Sequence, residues 1–221
     1  MHPIIQEYCR LVPFLAQVLG DHTEVLVHDL SNLDASVVAI ANGHVSGRKV
    51  GSPMNENGLR LIRSRAHERE EMYIRYRGVS RKKPKLLCST KFILDEEGGL
   101  IGMLCLNYDF ERDQLLLSQL AHTMGLADIP EVGASANYKT SAEKFPDSMQ
   151  DVITAILNET ISRIQVPVER LSQEEKIQVV GMLEARGVFL FKSAVSEVAK
   201  GLQTSEATIY RYLSKINKGE G

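Results

Sequence analysis

Apolar residues recur at Ile4, Ile5, Tyr8, Leu11, Val12, Leu15, Val18 and Leu19, close to a 3.6-residue period. That spacing predicts a helix over 3–19, with Pro13 the expected place of a kink and Gly20-Asp21-His22 its end. The pattern then changes to alternation. Thr23 to Leu30 and Ser36 to Ala41 read as a hairpin around the turn cluster Ser31-Asn32-Leu33-Asp34, with Val25 and Val27 opposite Glu24, Leu26 and His28. A glycine-punctuated loop, 42–53, leads to a short helix from Asn55 or Glu56 to Arg65 and a weak strand, Met72 to Tyr76. After the charged connector Arg81–Lys85 come the clearest strands, Lys85–Leu94 and Leu100–Tyr108, joined by Asp95–Gly99. Alternation puts Cys88, Thr90, Phe92 and Leu94 on one face of the first, and Ile101, Met103, Cys105 and Asn107 on one face of the second. Phe110 to Leu126 returns to a helical period, with Leu116, Leu117, Leu120 and Met124 as its stripe.

Periodicity lapses over Gly133–Ser148, which marks a domain boundary. Val152, Ile153, Ile156, Leu157, Thr160, Ile161 and Ile164 then form one stripe of a helix over Met149–Gln165, broken by Pro167. Ser172-Gln173-Glu174-Glu175 has the spacing of a capping box. The helix it starts buries Ile177, Val180 and Leu183 and stops at Gly187. Ser193 is expected to cap a further helix through Val195, Val198, Ala199 and Leu202. Gln203-Thr204-Ser205 is a three-residue turn, and Glu206–Asn217 is helical with Ile209, Tyr212, Leu213 and Ile216 inward. The chain thus reads as α+β: a sensor-like domain with an antiparallel sheet over 1–127, a linker over 128–148, a connecting helix over 149–166 and an all-α domain over 167–221.

The last two helices have helix-turn-helix spacing. A short turn holds the second at a steep angle, so that it can enter the DNA major groove while the first lies across the backbone. The face opposite Ile209 and Leu213 carries Glu206, Ala207, Tyr210, Arg211 and Ser214. Arg211 can give two hydrogen bonds to guanine O6 and N7. Ser205 and Thr208 sit at the helix N-terminus, where amides favour a phosphate. Tyr210 offers a hydroxyl and a ring, and Lys215 and Lys218 extend the positive side. Gln203 stands where glycine is usual, so a left-handed backbone is expected there at some cost. Thr204 stands where an apolar residue is usual.

The 221 residues are 43% hydrophobic and 24% charged, which excludes a disordered chain and a miniprotein stapled by disulfides. Cys9, Cys88 and Cys105 lack metal-site or disulfide spacing and read as small buried hydrophobes of a reducing cytosol. No apolar run approaches the roughly 20 residues of a membrane span, and no signal peptide opens the chain, so a cytoplasmic protein is expected. The net charge of -2 hides an asymmetry: residues 48–91 carry +9 and residues 92–151 carry -8. The basic block contains Arg60, Arg63, Arg65, Arg69, Arg75, Arg77, Arg81, Lys82, Lys83 and Lys85. It reads as a solvated surface facing the acidic stretch; a second DNA surface is the alternative.

No catalytic constellation is present, and no enzyme activity is expected. The loop 42–51, with Arg48 as a possible anion fork, lacks P-loop spacing and reads as a tight connector. His28 and His44 lack the convergent partners of a metal site, so neither a metal nor a cofactor is expected. For a small ligand, the polar groups on or beside apolar strands are His28, Asn42, Thr90 and Asn107.

Four segments carry a family resemblance: VLVHDLSN (Val25–Asn32), VAIANGHVSGRKVGSPM (Val38–Met54), FILDEEGGLIGMLCLNYD (Phe92–Asp109) and VSEVAKGLQTSEATIYRYL (Val195–Leu213). In this order they resemble the YheO-like PAS domain and its accompanying helix-turn-helix domain. The resemblance implies a bacterial transcriptional regulator: a PAS-like sensor of a small-molecule effector, joined to a reader of double-stranded operator DNA. A homodimer or higher even oligomer is expected from paired half-sites. The rival reading is a signalling adaptor that binds no DNA and uses its C-terminal helices for a protein.

Overall fold

The computed structural model describes residues 1–80, 86–125, 143–145 and 148–218. In chain order the elements are α1 (Pro3–Leu19), β1 (Thr23–Asp29), β2 (Val37–Ala41), α2 (Glu56–Arg63), β3 (Met72–Ser80), β4 (Leu86–Leu94), β5 (Leu100–Asp109), α3 (Glu111–Thr123), β6 (Glu143–Phe145), α4 (Met149–Ile164), α5 (Gln173–Ala185), α6 (Ala194–Gly201) and α7 (Glu206–Lys218). They divide into two compact units. The first comprises Met1–Ser31, Val37–Val50 and Glu70–Phe145; the second comprises Asn32–Ser36, Gly51–Arg69 and Pro146–Gly221. The connector Arg81–Lys85 and most of the 128–148 linker lie outside the described residues.

The first unit is a sheet with one long helix against it. Strand order is β2-β1-β5-β4-β3, antiparallel throughout, with the three-residue β6 added in parallel at the edge. The α+β reading and both predicted hairpins are present. Val25 pairs with Ala41 in the first hairpin, and Cys88 with Asn107 in the second. Asp95 closes the second turn by accepting from the amides of Glu97 (3.0 Å) and Gly99 (2.7 Å). The helix α1 starts at Pro3, where a missing N–H costs nothing, and runs unbroken through Pro13 to Gly20. It packs Ile5, Val12 and Ala16 onto Val25, Val27 and Ile93. A register shift between Ile93 and Leu94 leaves Ile101 as an extra residue, and Ile101 packs with this α1 cluster. It therefore leaves the face it was expected to share with Met103, Cys105 and Asn107.

The second unit is helical. The stripe of α4 is buried as its spacing predicts: Val152, Ile153, Ile156, Leu157 and Thr160 are all enclosed. They lie within one packed body, where α4 contacts α5 and α6, and α7 contacts α5 and α6. The predicted capping box on α5 is formed, with Ser172 accepting from the Glu175 amide at 3.2 Å and Glu175 from the Ser172 amide at 2.7 Å. Ser193 makes no capping hydrogen bond; its hydroxyl is turned to the Met149 sulfur at 3.0 Å. Gly201 lies so close to Leu157 that a Cβ there would meet the leucine at 2.2 Å.

Candidate nucleic-acid interface and sensor face

The turn before α7 is built by backbone hydrogen bonds. The Gln203 amide donates to Lys200 O at 3.1 Å, and the Thr204 amide to Ala199 O at 2.9 Å. Together these form a Schellman motif, which needs a left-handed residue at its centre. Gln203 takes that conformation, with φ 50°, as its position in the sequence predicts. Its side chain also donates to Glu169 at 3.2 Å. Ser205 then caps α7, accepting from the Thr208 amide at 3.2 Å, and the two hydroxyls are 2.9 Å apart.

Above this turn α7 is sharply two-sided. Ile209 is fully buried and Tyr212 nearly so, with Leu213 and Ile216 half-buried. Ser205, Glu206, Ala207, Tyr210, Arg211, Ser214 and Lys215 are exposed, and Thr208 is half-buried. The sequence-assigned DNA face is thus one contiguous outer surface. The Arg211 guanidinium lies 5.8 Å from the centre of the Tyr212 ring. The Lys218 side chain is outside the described residues. Such a surface, fixed from beneath by packed apolar side chains, can project hydrogen-bonding groups into a groove without disturbing the core.

The sheet unit holds a second polar arrangement, and this one is internal. All seven residues of β1 are buried, so Glu24, Leu26 and His28 are as enclosed as Val25 and Val27. Register places Glu24 beside Asn107, Leu26 beside Cys105 and His28 beside Met103; across the next ladder Cys88 is beside Asn107 and Thr90 beside Cys105. Glu24, at 0% exposure, accepts from Arg48 at 2.6 Å, from the Asn107 amide at 2.8 Å and from the Ser46 hydroxyl. Arg48 Nε in turn donates to the Ser46 hydroxyl at 3.1 Å. Thr90 is 2.8 Å from the Tyr76 hydroxyl and 3.4 Å from the Cys105 sulfur. Burial first, and then the Arg48 cation, hold the His28 imidazole well below its ordinary pKa, so His28 is neutral at pH 7.

Of the four polar residues expected to face a ligand, His28, Thr90 and Asn107 share this inner face. Asn42 does not join them. At φ 55° it ends β2, and its amide donates to Gly20 O (3.0 Å) and Thr23 O (2.8 Å). Glu24 and Ser46 went unread as members, and Arg48 serves a carboxylate of its own chain. The only signal for Glu24 was its alternation with Leu26 and His28. A strand covered on both faces buries every position, and alternation cannot reveal that.

Three arginines of the basic block have carboxylate partners outside residues 92–151. Arg48 pairs with Glu24, Arg65 with Glu68 at 3.0 Å, and Arg63 with Glu184 at 2.8 Å. Within the helical unit Arg186 forks onto Glu56 through Nε at 2.9 Å and through its second nitrogen, and reaches Glu159 at 2.8 Å and the Thr160 hydroxyl at 3.2 Å. Burial pulls the Arg186 pKa down, but Glu159 and Glu56 outweigh it and the net shift is upward. Conversely, Arg186 holds the Glu159 carboxyl below its usual range. Among the described residues, no group of three or more His, Cys, Asp or Glu side chains could hold a metal ion, and no helix is long and apolar enough to cross a membrane.

A PAS-like sheet and a helix-turn-helix define the class, and comparison with known families agrees. The YheO-like PAS domain matches residues 1–124 and a helix-turn-helix domain matches residues 152–214, so α4 falls inside the second match. The chain belongs to the YheO-like PAS domain family. It is 29% identical to YheO of Escherichia coli K12 over 217 residues, covering 98% of this chain and 86% of that one. A Haemophilus influenzae protein is 27% identical over 97% of this chain and 92% of its own. The transcriptional regulator DauR of Pseudomonas aeruginosa is 24% identical over 98% of this chain and 96% of its own. The family and these relatives support a DNA-binding regulator.

Proposed function

We propose that the protein is a cytoplasmic transcriptional regulator that reads double-stranded operator DNA through α7 and senses a small molecule on the inner face of its sheet, and that it works as a homodimer. The observation that carries this reading is the outer face of α7: polar, exposed, and seated on a fully buried Ile209. Arg211 is positioned to read a guanine, Glu206 to accept from a cytosine amino group, and Lys215 to meet a phosphate. The effector site is the face bearing His28, Thr90 and Asn107, with Glu24 and Arg48 as charged groups already neutralising one another. An effector changes operator affinity only to the extent that it binds two states of the protein unequally. The residues Gly51–Arg69 give a route for that bias. They belong by sequence to the sensor family's stretch, yet α2 within them is gripped by Arg186 inside the helical unit.

The test uses a duplex selected from a random-sequence pool by the wild-type chain. Arg211→Ala lowers affinity for it by about 1–3 kcal/mol and relaxes preference at one base pair, while the unfolding midpoint stays in place. Affinity and preference both unchanged would exclude α7 as the reading helix and favour the adaptor.

A further inference from the structure

The loop that follows β2 is fastened to the inner face of the sheet. Val45, Ser46 and Arg48 are buried, and Val45 packs with Leu86 and Cys88. The Arg48–Glu24 pair is enclosed, with side-chain exposures of 3% and 0%. Lys49, Val50 and Gly51 are exposed, and the division between the two units falls between Val50 and Gly51. The chain is buried again at once. Ser52, Pro53, Met54 and Asn55 are enclosed, the Met54 amide donates to Leu33 O at 2.9 Å, and Asn55 caps α2 by accepting from the Gly58 amide at 2.8 Å. Glu56, the first residue of α2, is held by Arg186.

The exposed stretch leaves little slack. Four peptide steps from Arg48 to Ser52 span at most about 14 Å. Gly51, at φ 85°, takes up part of that length in a turn. A buried ion pair is a discrete device, made or broken, because a half-made one strands a charge. Coupling between distant sites runs through such elements where they are physically continuous. At the far end Arg186 is shared: it holds Glu56 of α2, and also Glu159 and the Thr160 hydroxyl of α4, while its own amide closes the end of α5. Leu59 O of α2 lies so near Gly187 that a Cβ there would meet it at 3.1 Å. A shift of α2 therefore falls on the junction of α4 and α5, which pack on α6 and α7. We propose that Arg48–Glu56 is a strap that couples the Glu24–Arg48 pair to the grip of Arg186 on α2, so that breaking the pair alters that grip and the DNA affinity of α7. The strap deepens the regulator reading, on which it rests for its purpose, and it assigns the coupling to residues 49–51 rather than to the 128–148 linker.

In the full chain the pair is removed by Glu24→Leu with Arg48→Met. Ser46→Ala, which takes away the hydroxyl that serves both partners, carries the test should the double variant fail to fold. Hydrogen exchange of the α2 amides is measured without DNA, and affinity is measured for the duplex selected by wild type. Each change is then repeated with Gly-Ser-Gly inserted between Val50 and Gly51. Removing the pair should speed α2 exchange and shift duplex affinity by at least about 5-fold, with base preference unchanged. With the insertion, the same change should move affinity by no more than about twofold, the scatter of independent sites. The same insertion between Arg69 and Glu70 should leave the coupling intact. Wild-type α2 exchange in a folded pair variant, a coupling that survives the first insertion, or one lost equally with the second would each overturn the proposal. The two readings fail separately. If Arg211→Ala leaves duplex affinity in place while α2 exchange still follows the pair through the strap, the α7 assignment falls and the strap stands. If Arg211→Ala lowers affinity while removing the pair leaves affinity unmoved, the strap falls alone.

Discussion

The interiors of the two units are made differently. The helices α4 to α7 enclose apolar groups: Val152, Ile153, Ile156, Val179, Val180, Leu183, Val198, Leu202 and Ile209 are all buried, and the buried polar residues of the helical unit, Ser36, Ser52, Asn55 and Thr160, are uncharged. The Thr160 hydroxyl donates back to Ile156 O at 2.7 Å. The sheet unit has such a core on the α1 side, whereas on the other face Leu26, Cys88, Phe92 and Met103 are interleaved with polar groups. Its other face encloses Glu24, His28, Thr90 and Asn107, each needing a partner in a particular place. An apolar interior tolerates small shifts, because dispersion and water exclusion have little directionality. A buried ion pair with shared hydrogen bonds does not, because a lost partner leaves a charge or a lone pair stranded. The difference fits the proposed division of labour. One interior holds an outer helix face steady; the other is sensitive to what touches it.

That contrast can be broken by removing one partner from each interior. Arg48→Ala strands the Glu24 carboxylate and should destabilise the protein by about 3–5 kcal/mol in urea unfolding. Replacing both, as in Glu24→Leu with Arg48→Met, should cost less than Arg48→Ala alone. If Arg48→Ala behaves like a surface change, the polar interior is not under the tension argued for it. In the helical unit Ile209→Ala opens a cavity beneath the exposed face of α7 and should cost about 2–5 kcal/mol, with the slope of the urea transition unchanged. A pH series sharpens the comparison further. Folded His28 resists protonation while the unfolded chain accepts it near pH 6.5, so the unfolded state binds the extra proton. Its contribution to stability is fully present above about pH 6.5. It declines by about 1.4 kcal/mol per pH unit below that, until the folded pKa is reached. His28→Gln should flatten this part of the stability–pH curve by one proton; an unaltered slope would mean that His28 titrates normally.

Local structure was legible wherever chemistry acts over a few residues. Ser172 and Glu175 predicted their own capping box, and the lack of glycine at Gln203 predicted a strained turn. The stripe of α4 predicted its buried face, and the pattern of α7 predicted both its buried and its exposed sides. What escaped was decided at long range. Glu24 and Arg48 are 24 residues apart, and no period links them. Ile101 changed company because a neighbouring strand slipped by one residue. The α3 stripe is exposed among the described residues: a sequence pattern records that a face is apolar, not what covers it. The arginines of 48–69 looked like one surface, yet Arg48 and Arg63 went to carboxylates in different units.

The grip of Arg186 on Glu56 spans 130 residues of chain. A nascent polypeptide therefore exposes α2 long before the ribosome has made the helices that receive it. Strands β3 to β5 are made in the meantime. The helical unit can close only after α7 emerges, and contacts this distant slow that step. A truncated product that stops short of α5 holds no α7, and a C-terminal fragment beginning at residue 146 keeps Glu159 but lacks Glu56, the other acid that Arg186 holds.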